Sequence, residues 1–181
     1  MNKVKTTLSF ALNGAVVAAM VCVGVNQVGQ ARAAENLSTV SEADKFCLQQ
    51  NIYFEARNQT TAGKVAVAWV TMNRVDSARY PDSICGVVKQ GRKDSKGNMI
   101  RHKCQFSWYC DGKSDKISNN IVEQRAWEDA GLVAEVVLID WARGKSSPVE
   151  EATMYHADYV NPYWSTAYEV VDKVDSHIFY Q

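Results

Sequence analysis

Histidine is scarce in this 181-residue chain: three residues, His102, His156 and His177, with no two at H-x-x-x-H spacing. Its five cysteines contain no C-x-x-C, so the usual spacing of a zinc ribbon is missing. Net charge is missing too, with 20 basic and 20 acidic residues, and without a basic excess nothing points to nucleic acid as the partner. There is no internal repeat, linker or low-complexity tract. With 46% hydrophobic and 22% charged residues, the chain reads as one globular domain, long enough to bury a core without metal or dense disulfides.

Residues 1–33 read as a secretion leader. Lys3 and Lys5 give a positive start, Leu8 to Val25 is apolar apart from Ser9, Asn13 and glycines, and Ala31-Arg32-Ala33 supplies an A-x-A cleavage site. The apolar run nearly spans a bilayer, so an uncleaved anchor is the alternative. Cys22 follows Met20 and Val21 rather than small residues, which argues against a lipoprotein. Removing Lys3, Lys5 and Arg32 leaves 17 basic against 20 acidic residues, a formal −3. The mature chain keeps Cys47, Cys85, Cys104 and Cys110, an even number that in an exported chain favours disulfides. Cys104 and Cys110 enclose a short aromatic loop and make the first expected pair, leaving Cys47 with Cys85; four free thiols are the alternative.

The expected fold is α+β and mainly α. Residues 34–45 form an N-terminal segment and the start of a first helix, and 46–181 the main domain. The first helix begins at Ser41, with Asp44 three residues on, and ends near Ala56 or Arg57. Phe46, Cys47, Ile52 and Tyr53 make its inward face. Thr61 caps a second, mostly buried helix running to Val75 or Asp76, with Val65, Ala68, Trp69 and Met72 on one face. A short helix or turn covers Ser83–Gln90. Lys96-Gly97-Asn98 has turn chemistry, so 89–105 reads as a basic β-hairpin, either solvated or attractive to an anionic polymer. A long helix follows over Ser118–Arg143, its apolar side Ile121, Val122, Ala126, Leu132, Val133, Val136, Val137 and Trp141, with a split expected at Gly131 and a stop at Gly144. Ala152–His156 is a short strand, His177–Tyr180 is β-prone and expected to pair with Thr153–Tyr155, and Tyr168–Val174 fits helix or strand.

Chemistry concentrates in Asn51-Ile52-Tyr53-Phe54-Glu55-Ala56-Arg57. A carboxylate among apolar and aromatic neighbours is disfavoured in its charged form, which raises its pKa and keeps a proton available near neutral pH. A salt bridge from Glu55 to Arg57 is the plainer alternative. The second informative segment, Cys104-Gln105-Phe106-Ser107-Trp108-Tyr109-Cys110, sets rings beside polar groups as a sugar-binding cleft does, with at least one of Phe106 and Trp108 expected in the core.

Tyr53-x-Glu55-Ala56-Arg57, Val65-Ala66-Val67-Ala68, Asn73-Arg74-Val75, Pro81, Ile84, Gly86-Val87-Val88, Gln105-Phe106-Ser107-Trp108 and His177-Ile178-Phe179-Tyr180 together resemble the SleB-type cell wall hydrolases, over roughly 46–180. The chain departs from spore-type members in its four mature cysteines and Tyr155-His156. The resemblance implies a lysozyme-like helical domain that cuts peptidoglycan glycan strands, with Glu55 as the catalytic acid. Expected substrate contacts are Tyr53, Arg57, Asn73, Gln105, Phe106, Ser107, Trp108, Tyr155, His156 and Trp164; Asn73 can equally cap its helix.

A single glutamate suffices for a lytic transglycosylase, which needs no cofactor and no metal. Hydrolysis of the same bond needs a partner acid roughly 5–9.5 Å away, for which Asp111, Glu150 and Asp158 are candidates. The rival enzyme class is a zinc amidase or peptidase using Glu55 as base, and the rival outside enzymes is a wall-binding module. Expected partners are glycan strands alone, met by a monomer outside the cytoplasm.

Overall fold

The computed structural model describes residues 30, 31 and 33–181; all of the expected leader except its last residues lies outside them. Helix α1 is Glu42–Ala56, capped by Ser41, whose hydroxyl accepts from the Asp44 backbone N–H at 3.0 Å. Asp44 also accepts from the Cys85 N–H at 2.7 Å, beside the Cys47–Cys85 disulfide. Two constraints therefore tie the start of α1 to the short helix α3, Ile84–Val88. The buried side of α1 is Cys47, Leu48, Asn51, Ile52, Tyr53 and Ala56; Phe46 is half exposed and packs edge-on against Trp127 instead.

Helix α2, Thr61–Asp76, runs through the centre of the molecule, capped by Thr60, one residue before the expected cap. Almost its whole circumference from Ala66 to Met72 is buried, so small residues, Ala66 and Ala68, let three neighbouring helices approach. Helix α4, Ile121–Ala142, lies across α1 and α2 and is unbroken at Gly131. A Cβ there would sit 2.8 Å from Gln49 Nε2, and the same amide donates to the Trp127 carbonyl at 2.9 Å. The glycine thus serves a close approach of α1 rather than a helix break. Ile121, Val122, Leu132 and Val136, expected on the apolar side, are exposed; Ala130, Val133, Ala134, Val137 and Leu138 are buried. Two apolar stripes lie side by side on α4, and contact with α1 and α2 selects the one with smaller side chains. Gly144, at φ +71°, stops the helix.

Strands β1 (Gly91–Lys93) and β2 (Met99–Cys104) form the expected hairpin, with Gly97 at φ +85° in its turn. The second sheet has the order β3 (Met154–Ala157), β5 (His177–Tyr180), β4 (Val170–Val174), all antiparallel, so Tyr168–Val174 resolves mostly as a strand. Its register sets Tyr155 opposite Phe179 and His156 opposite Ile178. His156 and His177 do not bond each other: His156 Nε2 meets Tyr180 Oη at 2.7 Å. Among the described residues no helix is long and apolar enough to cross a membrane.

The second disulfide joins Cys104 to Cys110, so both expected pairs are bonded. Cys47–Cys85 closes 38 residues and Cys104–Cys110 only 6. Loop-closure entropy then gives about 4 kcal/mol for the first and about 2 kcal/mol for the second. The C47A/C85A pair should lower the thermal midpoint more than C104A/C110A, as scanning calorimetry would show; equal midpoints would contradict this.

Candidate active site

Glu55 is the penultimate residue of α1, at the floor of an open cleft of about 540 Å³. The C-terminal end of α1 brings it there, α2 supplies Arg74, and β3 supplies Tyr155. Tyr155 Oη donates to Glu55 Oε2 at 2.9 Å, a contact spanning 100 positions in sequence. No other protein group among the described residues bonds the carboxyl. Burial is the main cause that raises Glu55 above the ordinary carboxylate range; the Tyr155 bond and the nearby Arg74 charge pull back only part of it. A carboxylate near the negative end of α1 is opposed by the helix dipole as well, in the same direction as burial.

Arg74, part of the Asn73-Arg74-Val75 resemblance but not among the expected contacts, is buried, 4% exposed. Its Nε donates to the Thr153 carbonyl at 2.8 Å, and its guanidinium lies 4.8 Å from the Phe106 ring centre and 5.4 Å from that of Tyr80. Nη1 is buried without a partner. Burial lowers its pKa, offset in part by the neighbouring Tyr155, Tyr80 and Glu55 side chains. Tyr155 is raised well above the usual tyrosine value by burial and then by Glu55, so it stays a hydroxyl and a donor. His177, on the cleft wall, is pulled down by burial and is neutral at pH 7.

Of the expected contact residues, Arg57, Gln105, Ser107, Trp108, Tyr155 and His156 line the cleft with Glu55. Arg57 does not pair with Glu55; its charge lies 3.8 Å from Glu123 and over the Tyr53 ring. Four expected contacts lie elsewhere. Tyr53 points to α4, bonding Glu123 and packing on Trp127. Asn73 donates to the carbonyls of Glu150 (2.8 Å) and Ala152 (2.9 Å), pinning the loop before β3 on the other side of α2. Phe106 is core, beneath Arg74. Trp164 packs behind His156 and Tyr180. Asn73 and Arg74 are adjacent, and the turn of the helix sends one to a loop and the other to the cleft.

Asn51 joins the site only through the tertiary structure. It is fully buried, donates to Thr71 Oγ1 at 3.1 Å and accepts from Trp108 Nε1 at 3.0 Å. Phe54 stacks on the same indole, 4.6 Å between centres. The available signal was a polar residue four positions before Glu55, on the same face of α1. Asn51→Ala leaves the indole N–H and Thr71 unpaired at a cost of about 1–3 kcal/mol. It should raise KM for glycan more than it lowers kcat, because Trp108 loosens while Glu55 stays; an unchanged KM would detach Trp108 from binding.

Asp111, Lys113, Ser114 and Asp115 also line the cleft, and Asp115 is raised by burial and then by the Asp111 charge. Of the other candidate acids, Asp158 pairs with Lys173 at 2.7 Å, and neither it nor the exposed Glu150 lines the cleft. No three His, Cys, Asp or Glu side chains among the described residues converge as a metal site would require.

A mainly helical domain carrying a glutamate on the floor of an aromatic cleft, flanked by a small sheet, has the lysozyme-like layout. The chain belongs to the cell wall hydrolase family, whose model matches residues 58–180. That match begins just past Arg57, so Glu55 lies outside it. The chain is similar to the spore cortex-lytic enzymes of Oceanobacillus iheyensis (40% identical over 52 residues) and Bacillus subtilis (42% over 48). Those stretches cover 29% and 26% of this chain but only 19% and 16% of the relatives, so the chain spans under a fifth of their length. In fold it is similar to the catalytic domain of the Bacillus cereus SleB protein, with TM-score 0.52, 24% identity, and 78% of this chain and 92% of that one covered. The catalytic domain of the germination-specific lytic transglycosylase SleB from Bacillus anthracis gives 0.53, 25%, 79% and 98%.

Proposed function

We propose that this chain is an exported enzyme that cleaves peptidoglycan glycan strands by lytic transglycosylation, with Glu55 as acid and then base. The observation that carries the reading is Glu55 itself: raised by burial, bonded at Oε2 by Tyr155, and lining an open cleft beside Trp108. Its proton goes to the glycosidic oxygen as the bond from that oxygen to the muramoyl anomeric carbon breaks. The resulting carboxylate, beside Arg74 and the Tyr155 hydroxyl, then takes the proton of the muramoyl 6-hydroxyl as its oxygen bonds the same anomeric carbon. The products are a free 4-hydroxyl and a 1,6-anhydro end, and no water or cofactor is consumed. Export is supported by the leader pattern of residues 1–33 and by the two disulfides.

Mass spectrometry of digested peptidoglycan tests the reading. Anhydromuramic ends are expected, formed equally in EDTA; loss of activity on chelation would return the zinc amidase reading. A specific observation favours hydrolysis as the second reading: Asp111 and Asp115 line the same cleft and either can activate water. Reducing muramic ends, abolished by D111N or D115N, would establish it.

A further inference from the structure

Trp108 offers a sugar little surface. The indole is only 8% exposed, Phe54 covers one of its faces at 4.6 Å between ring centres, and Asn51 occupies its N–H. Phe54 and Tyr155, which also line the cleft, are themselves half-buried. Among the described residues of the cleft lining, the aromatic ring open to solvent is that of Tyr159, 85% exposed. A lone exposed tyrosine is ordinary. Tyr163, on the same loop, is 95% exposed and lies outside the cleft. What sets Tyr159 apart is its place beside Glu55 and the way its backbone is held.

β3 ends at Ala157, and the Val160 N–H donates to the Ala157 carbonyl at 2.9 Å, closing a turn with Tyr159 at its third position. The preceding residue braces that turn twice. The Asp158 N–H donates to the Ser176 carbonyl at 2.8 Å, and its carboxylate pairs with Lys173 on β4 at 2.7 Å. The backbone of Tyr159 is thus fixed to the sheet that carries Tyr155 to Glu55. A tyrosine held this way has only two side-chain torsions to lose when a ligand covers it.

We infer that Tyr159 is the stacking platform for a pyranose ring of the glycan strand, one that flanks the cleaved bond. The inference rests on the glycan-cleaving reading. In a β-1,4-linked strand the ring substituents are mostly equatorial, which leaves C–H groups on the ring faces. Such a face packs flat on an aromatic ring, apolar area on apolar area. The hydroxyls and amides around its rim are left to polar groups, of which Gln105, Ser107 and Ser114 line the same cleft. Lactyl and peptide substituents leave from the rim too, so they do not obstruct the stack. A strand rises about 3.3 Å per residue, which sets Ala157 about 7 Å along β3 from Tyr155. Tyr159, beyond it, therefore meets a neighbouring sugar rather than the reacting one.

Binding of peptide-free glycan strands is measured by calorimetry on the full mature chain carrying Glu55→Gln, so that the strands stay intact. Adding Tyr159→Ala should weaken affinity about tenfold, the loss expected on truncating one aromatic anchor. Tyr159→Phe should keep the parent's affinity, because the ring and not the hydroxyl makes the contact. Tyr163→Ala, which removes a ring of similar exposure outside the cleft, should keep it too. Proton NMR supplies a readout that a structural role would not move. A set of sugar C–H protons should shift upfield on binding to the parent and to the Tyr159→Phe chain, and should be absent from the Tyr159→Ala spectrum. The thermal midpoint should stay the same throughout, since an exposed side chain holds little of the fold. Parent-like affinity in the Tyr159→Ala chain, or an equal loss in Tyr159→Phe or in Tyr163→Ala, overturns the platform and leaves Glu55 as the acid. A Glu55→Gln chain that binds no glycan strand at all overturns the platform and the glycan-cleaving reading together.

Discussion

Glu55→Gln should lose about 10²–10⁴-fold in kcat on peptidoglycan while keeping its fold, since general acid catalysis is typically worth that much. Glutamine matches the shape of the side chain and its amide oxygen still accepts from Tyr155, but it has no proton to give. Activity of the parent should decline as pH rises past the raised value of Glu55, because the protonated acid must act first. Stability moves the same way. With the folded value above the unfolded one, the folded chain keeps a proton that the unfolded chain has released, so stability is lost as pH climbs between the two values. Glu55→Gln removes that slope, and its thermal midpoint should be flatter with pH than the parent's. A folded Glu55→Gln chain with undiminished activity would sink the reading.

Arg74→Gln should raise the titration midpoint of Glu55 further, followed by carbon NMR of the labelled carboxyl, and should carry the alkaline limb of the pH–rate profile upward with it. In the proposed mechanism Arg74 is a positioning residue: it touches no reacting atom, and its charge pulls the Glu55 pKa down and so favours the carboxylate form. A carboxylate left with less stabilisation makes the first proton transfer harder, so kcat should fall with the same substitution. The same substitution removes the donor to the Thr153 carbonyl and costs about 1–3 kcal/mol of stability. Arg74→Lys separates the two effects. It restores the charge and so the Glu55 midpoint, but not the planar stack between Phe106 and Tyr80. An Arg74→Gln chain with an unshifted Glu55 midpoint would reduce Arg74 to a structural residue.

What the sequence by itself determined is local. Ser41 with Asp44, the Lys96-Gly97-Asn98 turn and Cys104 with Cys110 each act through neighbours or a short loop, so the ends of α1, the hairpin and that disulfide could be read from residue type and spacing, which left Cys47 with Cys85 as the remaining pair. Glu55 was legible for the same reason, as a carboxylate in apolar company. What only the tertiary structure decided is which way each element faces. Asn73 and Arg74 are equally polar neighbours, and the packing of α2 against the loop before β3 sends one to the Ala152 carbonyl and the other beneath the cleft. Phe106 and Trp108 are both apolar, yet the indole N–H needs a partner and finds Asn51, which holds it at the cleft wall while Phe106 fills the core. Tyr155 reaches Glu55 because the pairing of β3 with β5 carries it across 100 positions of sequence, and no local rule encodes a hydrogen bond made by long-range register.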